Sequence, residues 1–210
     1  MKNNIDYKLY LVTDREMLKN RDIFSAVEMA IKGGVTLIQL REKDITTEEF
    51  YNIALKLKEI TSRHNVSLII NDRLDIALAI DADGVHVGQQ DMPAAVARKI
   101  IGKHKILGVS AATLEEAKKA EEDGADYVGI GAIFPTSTKD DARAVNINEL
   151  IKIKKALNIP VVAIGGISEK NIELLTTAKI DGVAVISAIL GKEDVKAASE
   201  DLRRQLDLII

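Results

Sequence analysis

The segment that decides the fold reads Gly124-Ala125-Asp126-Tyr127-Val128. It joins a stretch of helical periodicity to a short apolar run, and it supplies a residue that tolerates left-handed backbone geometry just before that run. The same kind of junction occurs at three other places, which read Gly33-Gly34-Val35, Ala82-Asp83-Gly84-Val85 and Ile180-Asp181-Gly182-Val183. The recurrence indicates that the chain repeats one supersecondary unit.

Short, apolar, β-branched runs alternate with longer helical stretches along the whole chain. About eight strands are predicted: Lys8 to Thr13, Thr36 to Arg41, Ser67 to Asn71, Gly84 to Val87, Ile106 to Ser110, Tyr127 to Ile133, Pro160 to Ile164 and Gly182 to Ser187. The runs are nearly continuous in hydrophobicity, as expected for parallel strands that are buried on both faces. The alternation therefore predicts repeated βα units on a parallel sheet.

The stretches between these strands carry helix signals. Two capping-box spacings, Thr46 with Glu49 and Thr113 with Glu116, mark helix starts. One apolar helical face is formed by Phe50, Ile53, Ala54, Leu57 and Ile60. These segments are predicted to be outer helices that cover the sheet.

Eight such units can close into a (β/α)₈ TIM barrel, and 210 residues lies near the lower end of the size range of that α/β fold. An open doubly wound sheet is the alternative. Its first βα turn commonly carries a Gly-x-Gly-x-x-Gly fingerprint, which Val12-Thr13-Asp14-Arg15 lacks. Because no stretch has the composition of a linker, we predict one catalytic barrel domain over residues 1–210.

The composition excludes several classes of function. With 29 Lys and Arg against 32 Asp and Glu, the net charge of -3 argues against nucleic-acid binding by counterion release. There is no Cys, which excludes disulfides and thiolate chemistry and fits a reducing cytoplasm. No apolar run approaches the roughly 18 residues of a membrane span, so we predict a cytoplasmic protein without a membrane partner.

In a barrel of this kind, chemistry is expected at the carboxyl ends of the strands. Asp72 follows the third predicted strand and Asp91 the fourth, so two acids arrive from adjacent strands. Mg²⁺ usually takes one or two carboxylates together with substrate phosphates, which makes the two acids candidate metal ligands. General acid and base catalysis is an alternative role, and each Asp is also a common type of helix cap.

Cations follow the second and sixth predicted strands. Arg41 and Lys43 could hold a polyphosphate, although Arg41 could equally pair with Glu42 or Asp44. The loop after the sixth strand contains Thr136, Ser137, Thr138 and Lys139, a hydroxyl-rich run with one cation. It is suited to clasping a phosphorylated substrate, and a plain surface loop is the alternative.

The most specific signal follows the seventh and eighth strands. Gly165-Gly166 and Ile186-Ser187 stand where barrels frequently build a phosphate site. Ser110 ends the fifth strand, and no His or Lys is placed as an obvious base for it, so we interpret it as a hydrogen-bonding group. His86 lies inside the fourth strand and is interpreted as a hydrogen-bonded barrel residue.

Taken together and in order, these segments resemble the thiamine phosphate synthase family over nearly the whole chain. The segments that carry the resemblance are Tyr10 to Asp14, Gln39 to Lys43, Asn71 to Arg73, Gly84 to Gln89 with Asp91, Gly108 to Ser110, Phe134 to Lys139, Gly165 to Ile167, and Ile186 with Ser187. The ordered set carries the resemblance, because no single segment would suffice.

The resemblance implies a transferase that condenses 4-amino-2-methyl-5-(diphosphooxymethyl)pyrimidine with a thiazole phosphate, or its carboxylated form, to give thiamine phosphate and pyrophosphate. It implies Mg²⁺ on Asp72 and Asp91, and catalytic roles for Arg41, Lys43, Ser110 and Lys139. The implied substrate-binding residues are Gln39, Leu40, Arg41, Glu42, Lys43, Asn71, Ser110, Thr136, Ser137, Thr138, Lys139, Gly166, Ile186 and Ser187. Gln39, Asn71 and Ser110 would orient the pyrimidine.

Two positions depart from the family pattern. Ala112 stands where many relatives carry His, and Ala132 stands where many carry Pro. Three other functions remain open: a sibling barrel that isomerises the thiazole phosphate, a non-catalytic barrel that binds a phosphorylated metabolite, and a sugar-phosphate isomerase. The expected partners are small molecules, and a symmetric homo-oligomer is the common arrangement for such enzymes.

Overall fold

The computed structural model describes residues 5–136 and 143–210. Eight parallel strands form a closed barrel in chain order. The strands are β1 (Leu9–Val12), β2 (Leu37–Leu40), β3 (Ser67–Asn71), β4 (Gly84–Val87), β5 (Ile106–Ala111), β6 (Tyr127–Ile130), β7 (Val161–Ile164) and β8 (Gly182–Val185). Because β8 pairs with β1, with Leu11 opposite Val185, the sheet has no open edge. The predicted TIM barrel is confirmed, and the open-sheet alternative is wrong.

Helices alternate with the strands and cover the outside of the barrel. They are α1 (Arg15–Leu18), α2 (Ile23–Lys32), α3 (Thr47–Arg63), α4 (Leu74–Ala79), α5 (Ala94–Ile101), α6 (Leu114–Glu122), α7 (Ile147–Ala156), a 3₁₀ helix (Ile172–Ala178), α8 (Ser187–Leu190) and α9 (Val195–Ile209). Thr46 and Thr113 cap α3 and α6 as predicted, each accepting the N–H three residues on. In the part of the chain that the structure describes, no helix combines the length and apolarity of a membrane span.

Two predicted strands end two or three residues earlier than expected. β6 stops at Ile130 instead of Ile133, because the chain then turns across to the end of β7, where the N–H of Phe134 donates to the carbonyl of Gly165. β8 stops at Val185, and Ser187 begins α8. Both runs remain apolar past the strand end, so hydrophobicity alone could not locate it.

Side chains alternate between two cores along each strand. Leu9 and Leu11 point outward into the large cluster between the barrel and its helices. Tyr10 and Val12 point inward and belong to a smaller cluster, which also contains Tyr7, Leu37, Ile69, Ile106, Tyr127, Val162 and Ala184. A residue near a strand end can therefore face the barrel mouth only if it stands at an inward-pointing position of this alternation.

Three of the four recurring junctions contain an aspartate that forms the same kind of ion pair. Asp126 accepts the backbone N–H of Leu107 on the preceding strand, β5, at 2.9 Å, and pairs at 2.6 Å with Arg98 of α5, the helix that comes before β5. Asp83 and Asp181 do the same with a lysine each, Lys58 and Lys154.

The left-handed residue of each junction is only partly where the pattern predicts it. Gly34 and Gly124 have φ of 102° and 91°. In the other two junctions the left-handed residues are Asp81 and Lys179, with φ of 52° and 50°. The prediction that Asp83-Gly84 and Asp181-Gly182 supply this geometry is wrong, because Gly84 and Gly182 are already the first residues of β4 and β8.

Candidate active site

A cavity of about 620 Å³ opens at the carboxyl ends of the strands. It is lined from all sides of the barrel, since side chains near the end of every strand reach it. The predicted site residues that line it are Gln39, Arg41, Lys43, Asn71, Asp72, Asp91, Ser110, Thr136, Gly166, Ile186 and Ser187. Residues from seven separate loops or strands of the sequence therefore meet in one place.

Asp72 and Asp91 face this cavity from neighbouring strand ends. Asp72 has a left-handed φ of 60°, and its N–H donates to the carbonyl of His86 at 2.8 Å. The residue that precedes α4 is Arg73, and the residue that precedes α5 is Pro93. The alternative reading of the two acids as helix caps is therefore wrong. A carboxylate oxygen of Asp91 instead accepts the N–H of Gly88 at 2.7 Å and closes the loop after β4.

Arg41 is held by a partner that sequence reasoning missed. Its guanidinium pairs with Asp14 at 3.2 Å, and both side chains are largely buried. Asp14 also caps α1 by accepting the N–H groups of Glu16 and Met17. The suggested pairing of Arg41 with Glu42 or Asp44 is wrong, because the chain after β2 lies against the chain after β1, where the N–H of Arg41 donates to Oγ1 of Thr13 at 3.0 Å. Lys43 is exposed at the mouth of the cavity.

Two residues of the implied substrate-binding set do not line the cavity. Leu40 is fully buried and packs in the outer core, since it has the opposite parity to Gln39 on β2. Glu42 bonds Arg15 at 3.0 Å. Ser137, Thr138 and Lys139 lie outside the described residues.

The ends of β7 and β8 form a second, smaller cavity of about 320 Å³ that adjoins the first. Thr136, Gly166 and Ser187 line both cavities. Gly166 has a φ of 64°, and a Cβ at this position would lie 2.4 Å from the carbonyl oxygen of Pro135. The loop after β7 therefore packs directly against the loop after β6, as a glycine alone permits.

A charged pair at the edge of the large cavity was also missed. Glu116 and Arg143 are 2.6 Å apart, and Glu116 also accepts the N–H of Ala112 at 2.8 Å. The Arg143 guanidinium holds the pKa of Glu116 below its usual value. Glu116 was predicted only as part of a capping box, and sequence spacing alone does not reveal that Arg143 reaches it from a later loop.

The floor of the cavity is a buried group of polar side chains inside the barrel. Tyr10, His86 and Tyr127 lie there, hydrogen-bonded to one another and to Gln39 and Ser110. The prediction that His86 is a hydrogen-bonded barrel residue is confirmed. The two tyrosines were missed; the available signal was their position at inward-facing steps of β1 and β6.

The described residues contain no group of three or more His, Asp or Glu side chains placed to hold a metal ion. Two carboxylates from adjacent strands, Asp72 and Asp91, are nevertheless the protein contribution that Mg²⁺ usually takes when substrate phosphates supply further oxygens. The donor set therefore fits a phosphate-dependent magnesium ion.

Comparison with known proteins gives a consistent result. A profile of the family described as thiamine monophosphate synthase matches residues 9–189. The thiamine-phosphate synthase of Alkaliphilus oremlandii is 59% identical over 204 residues, which cover 97% of this chain and 98% of that protein. The protein of the same name from Clostridium tetani is 60% identical over 199 residues, 95% of each chain. The solved thiamine phosphate pyrophosphorylase of Pyrococcus furiosus superposes with a TM-score of 0.91 at 44% identity, covering 98% of both chains.

Proposed function

The chain belongs to the thiamine monophosphate synthase family, and from this we propose that it is a transferase that joins a pyrimidine diphosphate to a thiazole phosphate, releasing pyrophosphate. The observation that carries the proposal is the large cavity, in which cations, two carboxylates and a glycine-rich turn face one space. These are the groups that an anionic leaving group and a second phosphorylated substrate require.

The diphosphate is proposed to bind between the ends of β2, β3 and β4. Arg41 offers a planar fork to phosphate oxygens, and its pairing with Asp14 holds the fork in one orientation. Lys43 adds a mobile positive charge at the mouth. Family resemblance adds Lys139 to these cations.

Mg²⁺ is proposed to be held by Asp72 and Asp91. When bound there, the ion would neutralise part of the charge on the departing diphosphate. The backbone hydrogen bond from Asp72 to His86 and the bond from Gly88 to Asp91 keep both carboxylates at the rim of the cavity.

The thiazole phosphate is proposed to bind across the two cavities at the ends of β7 and β8. Gly166 leaves room for a phosphate next to its backbone, and Thr136 and Ser187 offer hydroxyl groups that can donate to phosphate oxygens. The family resemblance extends this set to Ser137, Thr138 and the backbone of Ile186.

The reaction proposed for this site is dissociative. The bond between the pyrimidine methylene carbon and the diphosphate oxygen breaks first, and the electron pair leaves with the diphosphate. The thiazole nitrogen then donates its lone pair to the methylene carbon. The protein residues neutralise the leaving group, orient the two rings and exclude water, so no general base is required.

We further propose that residues 1–210 act as a single catalytic domain, with small molecules as the partners and the cytoplasm as the place of action. The closed barrel supports this, since its strands and helices run from Leu9 to Ile209 around one site.

The test is to mix purified protein with the two substrates, with and without Mg²⁺, and to measure thiamine phosphate and pyrophosphate. Asp72→Asn is the informative variant, because Asn tolerates the left-handed backbone of Asp72 but lacks its charge. We expect a loss of roughly 10²-fold or more in kcat/KM. Asp75→Asn is the matched control, since Asp75 is exposed and pairs only with Arg73 among the described residues.

Three results would contradict the proposal. Equal metal dependence in the wild type and the Asp72→Asn variant would show that Asp72 does not hold the metal ion. Binding of thiazole phosphate without pyrophosphate release would remove the synthase activity and favour the thiazole-isomerase sibling or a regulatory binder. Indifference to chelation together with isomerisation of a sugar phosphate would favour the third alternative.

A further inference from the structure

A continuous chain of hydrogen bonds crosses the barrel beneath the large cavity. The amide nitrogen of Gln39 lies 2.6 Å from the hydroxyl of Tyr10, which lies 2.8 Å from the hydroxyl of Tyr127. The Tyr127 hydroxyl lies 2.9 Å from Nδ1 of His86, and Nε2 of His86 lies 2.8 Å from Oγ of Ser110. The chain therefore connects Gln39 on β2 with Ser110 on β5, on opposite sides of the barrel.

All five residues of this hydrogen-bond chain line the cavity, and its two tyrosines are the most deeply buried members. Tyr10 is 1% exposed and Tyr127 is fully buried. Burial raises the pKa of both tyrosines above the usual value, so each keeps its single proton. Each tyrosine can therefore donate only one hydrogen bond.

The positions of the protons give the hydrogen-bond chain one direction, from donor to acceptor. The Gln39 amide donates to Tyr10, so the Tyr10 proton goes to its other partner, Tyr127. Tyr127 must then donate to Nδ1 of His86, which makes that nitrogen an acceptor. The His86 proton is consequently on Nε2 and is donated to Ser110, whose own hydroxyl proton is left to point into the cavity.

We propose that Tyr10, Tyr127 and His86 are positioning residues that couple Gln39 to Ser110, so that Gln39 presents an acceptor and Ser110 a donor to one bound ring. The donor and acceptor roles at one end can be exchanged only if they are exchanged in every hydrogen bond of the series. Exchanging them in a single bond would leave two protons, or none, between its two heavy atoms. A buried unmade hydrogen bond is costly, so the two ends act as a pair.

An aminopyrimidine has the matching groups on opposite sides of its ring, since its amino group donates and the ring nitrogen across the ring from that group accepts. This assignment of the ligand rests on the proposed function. A ring with an oxo group in place of the amine presents an acceptor where the amine donates, and it would meet a second acceptor at Gln39.

The first experiment determines the direction of the hydrogen-bond chain from the tautomer of His86, without any substrate. The protein has three histidines, and the nitrogen NMR signals of His86 are those that disappear in a His86→Gln variant. At neutral pH we expect the neutral tautomer with the proton on Nε2. A proton on Nδ1, or a doubly protonated ring, would overturn the assigned direction, whether or not the protein makes product.

The second experiment breaks the chain at its centre. Tyr127→Phe removes one hydroxyl and keeps the ring, and we expect it to raise the KM for the pyrimidine diphosphate by roughly tenfold while the KM for the thiazole phosphate stays unchanged. Tyr7→Phe is the matched control, because Tyr7 packs 4.9 Å from Tyr127 between ring centroids but is not part of the chain.

Repeating the Tyr127→Phe substitution in a Ser110→Ala protein distinguishes an effect that acts through Ser110 from a general loss of protein stability. If the chain acts through Ser110, Tyr127→Phe adds little to the KM of a Ser110→Ala protein. An equal rise in both backgrounds, or an equal rise in the Tyr7→Phe control, would overturn the coupling. A wild type that yields no product would instead refute the proposed synthase activity. The NMR result would still test the direction of the hydrogen-bond chain, because it needs no substrate.

Discussion

At the scale of single residues, the site depends on positions where one residue type alone fits. Gly166 is the clearest case, since its φ of 64° and the 2.4 Å approach of the Pro135 carbonyl exclude a side chain. The sequence predicts a glycine-rich turn here, but the reason for it lies in the contact with another loop.

We expect Gly166→Ala to disturb binding of the thiazole phosphate. The added methyl group forces the loops after β6 and β7 apart, and we expect kcat/KM for this substrate to fall by at least roughly tenfold. Gly102→Ala is the control, because Gly102 also has a positive φ, 72°, but a Cβ there meets nothing within 4 Å. Gly102→Ala should lower the free energy of unfolding by about 1–3 kcal/mol through backbone strain alone, and Gly166→Ala should lower it further because of the added contact with Pro135. Equal kinetics in the two variants would contradict the proposed phosphate position.

At the scale of elements, the βα units are joined by the aspartates of the recurring junctions. Each of Asp83, Asp126 and Asp181 lies just before one strand, and it binds the start of the preceding strand and a cation of the helix before that strand. These bonds lie at the amino ends of the strands, away from the cavity, so they are expected to serve stability.

Replacing Asp126 should test this role. Asp126→Ala removes an acceptor for Arg98 and for the N–H of Leu107, and we expect a loss of about 2 kcal/mol in unfolding free energy with unchanged KM values. Asp207→Ala provides a comparison, because Asp207 likewise accepts from two groups, the side chains of Lys8 and Arg203, but lies on an exposed helix face. Chemical denaturation should show little change for Asp207→Ala; a similar loss in both variants would show that burial does not matter here.

At the scale of the whole molecule, three tyrosines fill the barrel interior and link its strands. Tyr7, Tyr10 and Tyr127 all have a pKa raised above the usual tyrosine value of 10.0, mainly because burial disfavours the phenolate. A raised pKa in the folded state means that the unfolded chain loses its protons first.

Stability should therefore be full below about pH 10 and should fall as the pH rises above it. Each tyrosine contributes up to about 1.4 kcal/mol per pH unit to this decline. Denaturation measured between neutral and strongly alkaline pH checks the expectation, and the Tyr7→Phe variant should show a shallower decline. A profile that is flat above pH 10 would mean that these hydroxyls ionise as readily in the folded protein.

Much of this protein is determined by local sequence. The alternation of apolar runs with capped helices predicted eight strands and a barrel, because strand and helix periodicities act over a few residues. The ordered motifs predicted the family, and the rule that loops at strand carboxyl ends meet brought Asp72, Asp91, Arg41 and Gly166 into one expected site. These predictions needed no knowledge of contacts between distant segments.

The tertiary structure decided what depends on closure of the barrel. Side-chain parity placed Gln39 inside and Leu40 outside, and the meeting of loops paired Arg41 with Asp14 and Glu116 with Arg143. The hydrogen-bonded chain from Gln39 to Ser110 exists only because β1, β2, β4, β5 and β6 surround one interior. Local patterns determine which elements form, whereas such pairings between residues far apart in sequence are set by where the closed sheet brings their side chains.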